Sequence, residues 1–303
     1  MIVKKTLIII AGPTSVGKTE VCIDLAQHFG TEIINCDSRQ MYREMPIGSG
    51  CPDNEQLQAV KHHFIGERSV LEFYNAGRYE EDAMKRIEEL FQHHCFVVVS
   101  AGSGMYLDAI VRGIDYMPEY NSELRRTLNE KLEHDGLHSL LQQLEEVDPE
   151  YYKTVDKNNV QRILRGLEVF ELTGKPFSEF RVKEHKKRDF EMIKIVLQRE
   201  REDLYCRINQ RVENMMLAGL ENEARNLYSL KHLVALKTIG YRELFDYFDG
   251  KTDLQEAVRL IQRNTRHLAR RQLTWFRAKT DFKNVPADNF GTILRYISMQ
   301  TNN

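Results

Sequence analysis

An apolar, β-branched hexapeptide runs straight into a glycine-bearing loop and then into a helical pattern. This succession constrains the chain more than any other feature. Residues 6–11 (TLIIIA) read as a buried strand. Gly12-Pro13-Thr14-Ser15-Val16-Gly17-Lys18-Thr19 follows and matches G-x-x-x-x-G-K-[ST]. Residues 19–29 then set Val21, Leu25 and the Cys22/Ala26 pair at helical spacing, with Gly30 as the stop. Glycines let the backbone turn tightly, so that successive N–H groups point at one polyphosphate at a helix N-terminus. Lys18 would add a point charge at the terminal phosphates, and Thr19 would offer its hydroxyl to Mg²⁺.

The same grammar recurs downstream. Residues 32–36 (EIINC) read as a second strand ending at Asp37, residues 79–91 as a helix, and Phe96-Val97-Val98-Val99 as the clearest strand, closed by Ala101-Gly102-Ser103-Gly104. Alternating strands and helices with continuously apolar strands predict an α/β fold, a P-loop NTPase-like parallel sheet core flanked by helices. From 118 to 189 the character changes to helices without a convincing strand. Ser122 reads as the N-cap of a helix ended by Gly136, and Asn158 or Asn159 as the cap of another that stops at Gly174. The basic stretch 181–188 (RVKEHKKR) reads as a return hinge. Strand character resumes at 193–197, so residues 118–189 are expected to form an all-α domain inserted into a core made of 1–117 and 190–303. The rest of the chain reads as helical, with 254–280 free of Pro and Gly.

Composition narrows the function. Forty-three Lys plus Arg against forty-five Asp plus Glu give a net charge of −2, so the chain lacks the overall basic balance of a simple nucleic-acid binder, though a local basic face stays open. No apolar run approaches a membrane span, and no membrane association is expected. The five cysteines are scattered without a C-x-x-C pair, which argues against a zinc ribbon or disulfide scaffold and for a reducing cytoplasm.

The loop says that a phosphate is held, not which compound carries it. An NTPase normally adds an acid at the end of an apolar strand to hold metal and orient water, whereas the best strand here ends in Ser100-Ala101-Gly102-Ser103. In an open parallel sheet, ligands sit at the carboxyl ends of strands near a topological switch point. Three strands deliver polar residues there: the phosphate loop, Asp37 with Ser38 and Gln40, and Ser103. A carboxylate facing a bound polyphosphate can accept a proton from a nucleophile while the phosphates leave. Taken singly, Asp37 reads equally as a turn or cap residue, and Ser103 as a turn hydroxyl.

Over nearly its whole length the sequence resembles the tRNA dimethylallyltransferases, also called tRNA isopentenyltransferases. The matching blocks are GPTSVGKT, DSRQMYR (37–43), PIGSG (46–50), AGSGMYL (101–107), VDPEYYKTVDKNNVQRILRGLEVF (147–170), LKTIGYREL (236–244) and TRHLARRQLTWFR (265–277). The resemblance implies transfer of a dimethylallyl group from dimethylallyl diphosphate to the exocyclic amine of the adenosine just 3′ of the anticodon. The phosphate loop would then hold the leaving diphosphate with Mg²⁺. It implies Asp37 as general base and Ser103, in place of the family's usual Thr, as a contact to the same nucleotide. Arg207 and Arg211, four apart on an expected helix, are candidates for a diphosphate clamp, with a solvated helix face as the alternative. Ala101 and Arg39 depart from the family pattern, and Cys51 replaces a common Lys.

By the same resemblance the tRNA-contacting residues are Asp37, Ser38, Arg39, Gln40, Ser103, Arg125, the segment Gln161-Arg162-Ile163-Leu164-Arg165, and the segment Lys237-Thr238-Ile239-Gly240-Tyr241-Arg242. The insertion would grip the anticodon stem-loop, and a monomer is expected. Independently, Arg259, Arg263, Arg266 and Arg270 recur at helical spacing, a basic stripe that reads either as RNA-facing or as a solvated face. His134 and His138 are separated by Asp135-Gly136, which breaks the helix and argues against a metal pair. Trp275 and Phe276 read as core. Three other readings stay open: a phosphate-loop small-molecule kinase using ATP, an isopentenyltransferase acting on AMP, and a nucleotide-dependent RNA-binding switch. The insertion and the basic C-terminal helix argue against a small acceptor, which needs neither.

Overall fold

The computed structural model describes residues 4–181 and 185–301. In chain order the elements are β1 (Thr6–Ala11), α1 (Lys18–Phe29), β2 (Ile33–Cys36), α2 (Pro46–Ser49), α3 (Asn54–Ala59), β3 (His62–His63), α4 (Ala76–Leu90), β4 (Phe96–Ala101), α5 (Gly104–Val111), α6 (Ser122–Val147), α7 (Pro149–Thr154) and α8 (Val160–Thr173). They continue with β5 (Glu191–Gln198), α9 (Arg201–Leu217), α10 (Leu220–Asn226), α11 (Tyr241–Phe248), α12 (Leu254–Arg277), β6 (Lys283–Pro286) and α13 (Phe290–Thr301). The chain divides into two compact units: one up to Val111 and from Arg188 onward, the other Arg112–Lys187. The sequence boundaries at 117/118 and 189/190 therefore shift to 111/112 and 187/188. Residues 182–184 of the expected hinge lie outside the described residues.

In the first unit six parallel strands run in the order β3-β2-β4-β1-β5-β6. The four central strands are largely apolar because helices cover both sides of the sheet. Ile8, Ile10, Val98 and Ile195 pack against Leu25 of α1, Leu204 and Ile208 of α9, and Ile293 of α13. Register fixes the functional edge: Ala11 lies opposite Ala101 and Val196, and Cys36 lies opposite Ala101. The next residues, Gly12, Asp37 and Gly102, therefore leave the sheet at one level. The chain passes from β1 toward β2 on one side and from β4 toward β5 on the other, so the switch point lies between β1 and β4. Two strands escaped the sequence reading. Both β3 and β6 are short and lack an apolar run, and they exist because their neighbours offer a free parallel edge.

The second unit buries Leu128, Leu140, Leu144, Tyr151, Ile163, Leu164 and Leu167 in a core of its own. Asn121, not Ser122, caps α6, its side chain accepting from Leu124 N at 3.0 Å. Gly136 does not end that helix: at φ 77° it kinks it, and helical geometry resumes after it. Asn159 caps α8, and Gly174 at φ 69° closes it. Asp148 is 1% exposed and yet supplied with donors, accepting from Tyr151 N, Ser178 N and the Ser178 hydroxyl.

Candidate active site

The glycine loop is shaped from outside as much as by its own sequence. Gly12 and Gly17 take φ of 155° and 107°, and Ser15 is held at φ 64°, a left-handed conformation that a serine rarely adopts unforced. Arg207 Nε donates to Ser15 O at 3.0 Å and Arg199 Nε to Val16 O at 3.2 Å. In a planar peptide the next N–H points opposite to the carbonyl, so these two arginines fix the orientation of the Val16 and Gly17 amides. Lys18 Nζ curls over the loop to donate to Gly12 O (3.0 Å) and Pro13 O (2.8 Å). Burial pushes its ammonium down to about 8, against an upward pull from Asp37. The Ser15 hydroxyl is buried without a partner. An orphaned donor and a desolvated cation in one cradle are what an oxyanion would satisfy.

The loop opens into a cavity of about 930 Å³, lined in part by Thr14, Ser15, Lys18, Thr19, Asp37 and Gln40. Asp37 reaches it because of a glycine. A β-carbon on Gly102 would stand 2.8 Å from Asp37 Oδ2 and 3.9 Å from Lys18 Cε, so only a bare backbone leaves room for the Asp37 carboxylate beside the Lys18 side chain there. Arg39 N donates to Asp37 Oδ1 at 2.8 Å, which leaves Oδ2 as the cavity-facing oxygen.

On the far wall, Arg211 Nη2 and Gln40 Nε2 both donate to Gly50 O, at 3.0 and 2.7 Å. Gly50 sits at φ 63°, and a β-carbon there would overlap Arg211 Nη2 at 1.6 Å. Desolvation lowers the pKa of Arg211. The Glu223 carboxylate anchors this PIGSG turn by accepting from Ile47 N, Gly48 N and the Tyr241 hydroxyl, at 2.9, 2.8 and 2.6 Å. Cys51, where the family commonly carries Lys, remains a thiol, its pKa raised to about 11 by burial.

Several expected contacts move. Ser103 does not line the cavity: its hydroxyl accepts from Ser38 N at 3.0 Å and donates to Ser38 Oγ at 3.3 Å, so it shapes the turn carrying Asp37. Ser38 and Arg39 also lie outside the lining. Ile163, Leu164 and Tyr241 are fully buried, the first two in the helical unit's core, so their side chains offer nothing to a partner. Gly240 is buried too and serves to start α11, its N–H donating to Glu243 Oε2 at 2.8 Å. Arg125 turns inward, only 12% of its side chain exposed, pairing with Glu168 at 3.0 Å and with Gln161 Oε1 at 2.6 Å. Arg165 likewise pairs with Glu168. Gln161, Arg162, Lys237 and Arg242 remain on the surface.

On the arginine stripe, Arg259 is bound to Glu256 and Arg266 to Asn209, while Arg263 and Arg270 are exposed. Sequence reasoning missed Gln272, Glu223 and Arg199. Gln272 lies inside the quoted TRHLARRQLTWFR block, but nothing in its helical period marks it as the residue that reaches the phosphate loop.

A match to the family model described as IPP transferase spans residues 40–279. The chain belongs to the IPP transferase family. Among members, the tRNA dimethylallyltransferase of Christiangramia forsetii is 48% identical over 297 residues, covering 98% of each chain. The tRNA dimethylallyltransferase 2 of Porphyromonas gingivalis is 47% identical, covering 97% of this chain and 98% of its own. The full-length tRNA isopentenylpyrophosphate transferase of Bacillus halodurans superposes with a TM-score of 0.72 at 31% identity, over 99% of this chain and 97% of the other. A eukaryotic dimethylallyltransferase acting on tRNA gives a TM-score of 0.78 at 25% identity, over 95% and 75% of the two chains. For an IPP transferase fold the phosphate loop, Asp37 and the PIGSG turn thus surround one cavity.

Proposed function

We propose that this IPP transferase moves a dimethylallyl group from dimethylallyl diphosphate to the exocyclic amine of the adenosine 3′-adjacent to the tRNA anticodon, releasing diphosphate. The observation that carries the reading is that Asp37 and the Lys18 side chain both approach the bare backbone of Gly102 and line one cavity. A phosphate-holding ammonium and a proton acceptor lining one cavity suit a transfer in which the leaving group and the nucleophile meet from opposite sides. The C1–O bond of the donor breaks and its electron pair leaves on the diphosphate. The amine lone pair forms the new C–N bond, and one amine proton passes to Asp37 Oδ2. An ordinary carboxylate is a weak base for an amine, so proton loss accompanies or follows C–N bond formation. Lys18, the amides of the loop and Arg211 stabilise the charge that grows on the diphosphate.

Mg²⁺ fits the donor set. Thr19 belongs to the cavity lining with Lys18, and its hydroxyl would be the protein ligand of an ion held otherwise by phosphate oxygens and water. Bound there, Mg²⁺ would neutralise the diphosphate as it departs. A monomer is the proposed state. No helix among the described residues is long and apolar enough to cross a membrane, and the proposed setting is the cytoplasm.

The deciding experiment supplies labelled dimethylallyl diphosphate with anticodon stem-loop RNAs that carry or lack the target adenosine, and separately with AMP. Label in the adenosine-bearing RNA alone is the expected result; label in AMP, or phosphoryl transfer from ATP, would replace the reading. Asp37→Asn should lower the saturating rate by about a hundredfold or more while RNA affinity holds.

A further inference from the structure

Helix α12 presents Gln272 and Trp275, at i and i+3, to the turn after β4, and Lys279 follows just beyond the helix end. Gln272 Nε2 donates to Gly102 O at 2.7 Å. The Trp275 indole covers Gly104 so closely that a β-carbon there would stand 2.7 Å from its Cε2. Lys279 lies over the Trp275 ring at 4.3 Å and donates to Asp108 of α5 at 2.7 Å. The Gly102-Ser103-Gly104 turn is thus gripped on both sides by one helix face. Gln272 does more than grip, because its Oε1 accepts from Thr14 N in the phosphate loop at 2.9 Å. Its orientation follows from its partners, since an amide N–H needs the amide oxygen and a carbonyl needs the amide nitrogen. One primary amide therefore joins the loop after β1 to the turn after β4, and that turn holds Asp37 through the bare face of Gly102 and the Ser103–Ser38 bonds.

We propose that Gln272 is a positioning residue that sets the distance between the cradle for the leaving diphosphate and the acid that receives the amine proton, an inference that rests on the prenyl-transfer reading above. Each half of the site has its own fixings: Arg199 and Arg207 for the loop, the sheet register for Asp37. Removing the amide should leave both halves able to bind while their separation loosens, and transfer is steep in that distance.

The test is single-turnover transfer from labelled dimethylallyl diphosphate to an anticodon stem-loop RNA at saturation, with inorganic diphosphate affinity, RNA affinity and thermal midpoint measured separately. Gln272→Met, close in size and unable to make either bond, should slow the saturated step by about tenfold to a hundredfold with both affinities and the midpoint unchanged. Gln272→Glu retains the acceptor for Thr14 N but, ionised, cannot donate to Gly102 O. Its deficit should narrow as the pH falls and the carboxyl is protonated, whereas the Met deficit should not. A Met variant at the unaltered rate overturns the inference. So does a loss confined to affinity or midpoint, or a Glu deficit that ignores pH. Absence of transfer by the unaltered protein while diphosphate still binds would overturn the prenyl-transfer reading and this inference with it.

Discussion

Three residues show how much the site depends on what a position lacks. Gly102 keeps ordinary backbone angles, so its requirement is space; a methyl group there would push Asp37 from Lys18. Gly50 is constrained twice, by φ 63° and by the Arg211 guanidinium filling the volume of its missing side chain. Gly50→Ala should lower stability by about 1–3 kcal/mol from backbone strain, read from the thermal midpoint, and weaken diphosphate binding by displacing Arg211. Lys18 shows a titration that binding must reverse. Its folded pKa of about 8 lies below the ordinary 10.5, so between those values the unfolded chain holds more protons and its contribution to stability rises with pH. Diphosphate affinity runs the opposite way, because the ligand needs the charged form. Calorimetry in buffers of different ionisation enthalpy should register proton uptake on diphosphate binding above pH 8. Lys18→Met should abolish that uptake and raise the thermal midpoint near neutrality while losing most diphosphate affinity.

At the scale of elements, helices divide into faces that hold and faces that are free. The α8 segment expected to meet tRNA gives Ile163 and Leu164 to its own core and Arg165 to Glu168, which leaves Gln161 and Arg162 outward. A period of 3.6 identified such stripes in the sequence, but which stripe faces inward was decided by the neighbouring helix. Leu164→Ala should cost about 2–5 kcal/mol, measured by chemical denaturation. Because the two compact units have separate cores, diphosphate binding by that variant should hold under conditions in which the helical unit has loosened. Arg162→Ala should leave stability unchanged and weaken RNA binding, with a shallower dependence of affinity on salt; equal affinity at all salt concentrations would remove Arg162 from the interface. The short strands β3 and β6 carry the same lesson for sheets. Their sequences, His62-His63 and Lys283-Asn284-Val285-Pro286, hold no apolar run, and parallel edges of β2 and β5 recruit them.

At the scale of the whole molecule, the proposed Mg²⁺ would be held with the bound diphosphate and not by the protein alone. If Mg²⁺ binds with the diphosphate as proposed, chelation should abolish transfer yet leave the thermal midpoint where it was, and Mg²⁺ should restore activity in proportion to bound donor. A fall in midpoint on chelation would mean that the protein itself holds a structural ion. What the amino-acid sequence determined was local. The phosphate loop follows from glycines at positive φ between an apolar strand and a helix, the sheet from β-branched runs, and the insertion from a change of period, since each of these is written within a few neighbouring residues. Gln272 and Thr14 stand 258 residues apart, and Asp37 and Lys18 line one cavity because β4 lies between β1 and β2. Such meetings were decided by strand order and helix packing, because a side chain's partners across the fold depend on where whole elements come to rest and leave no period or spacing in the chain.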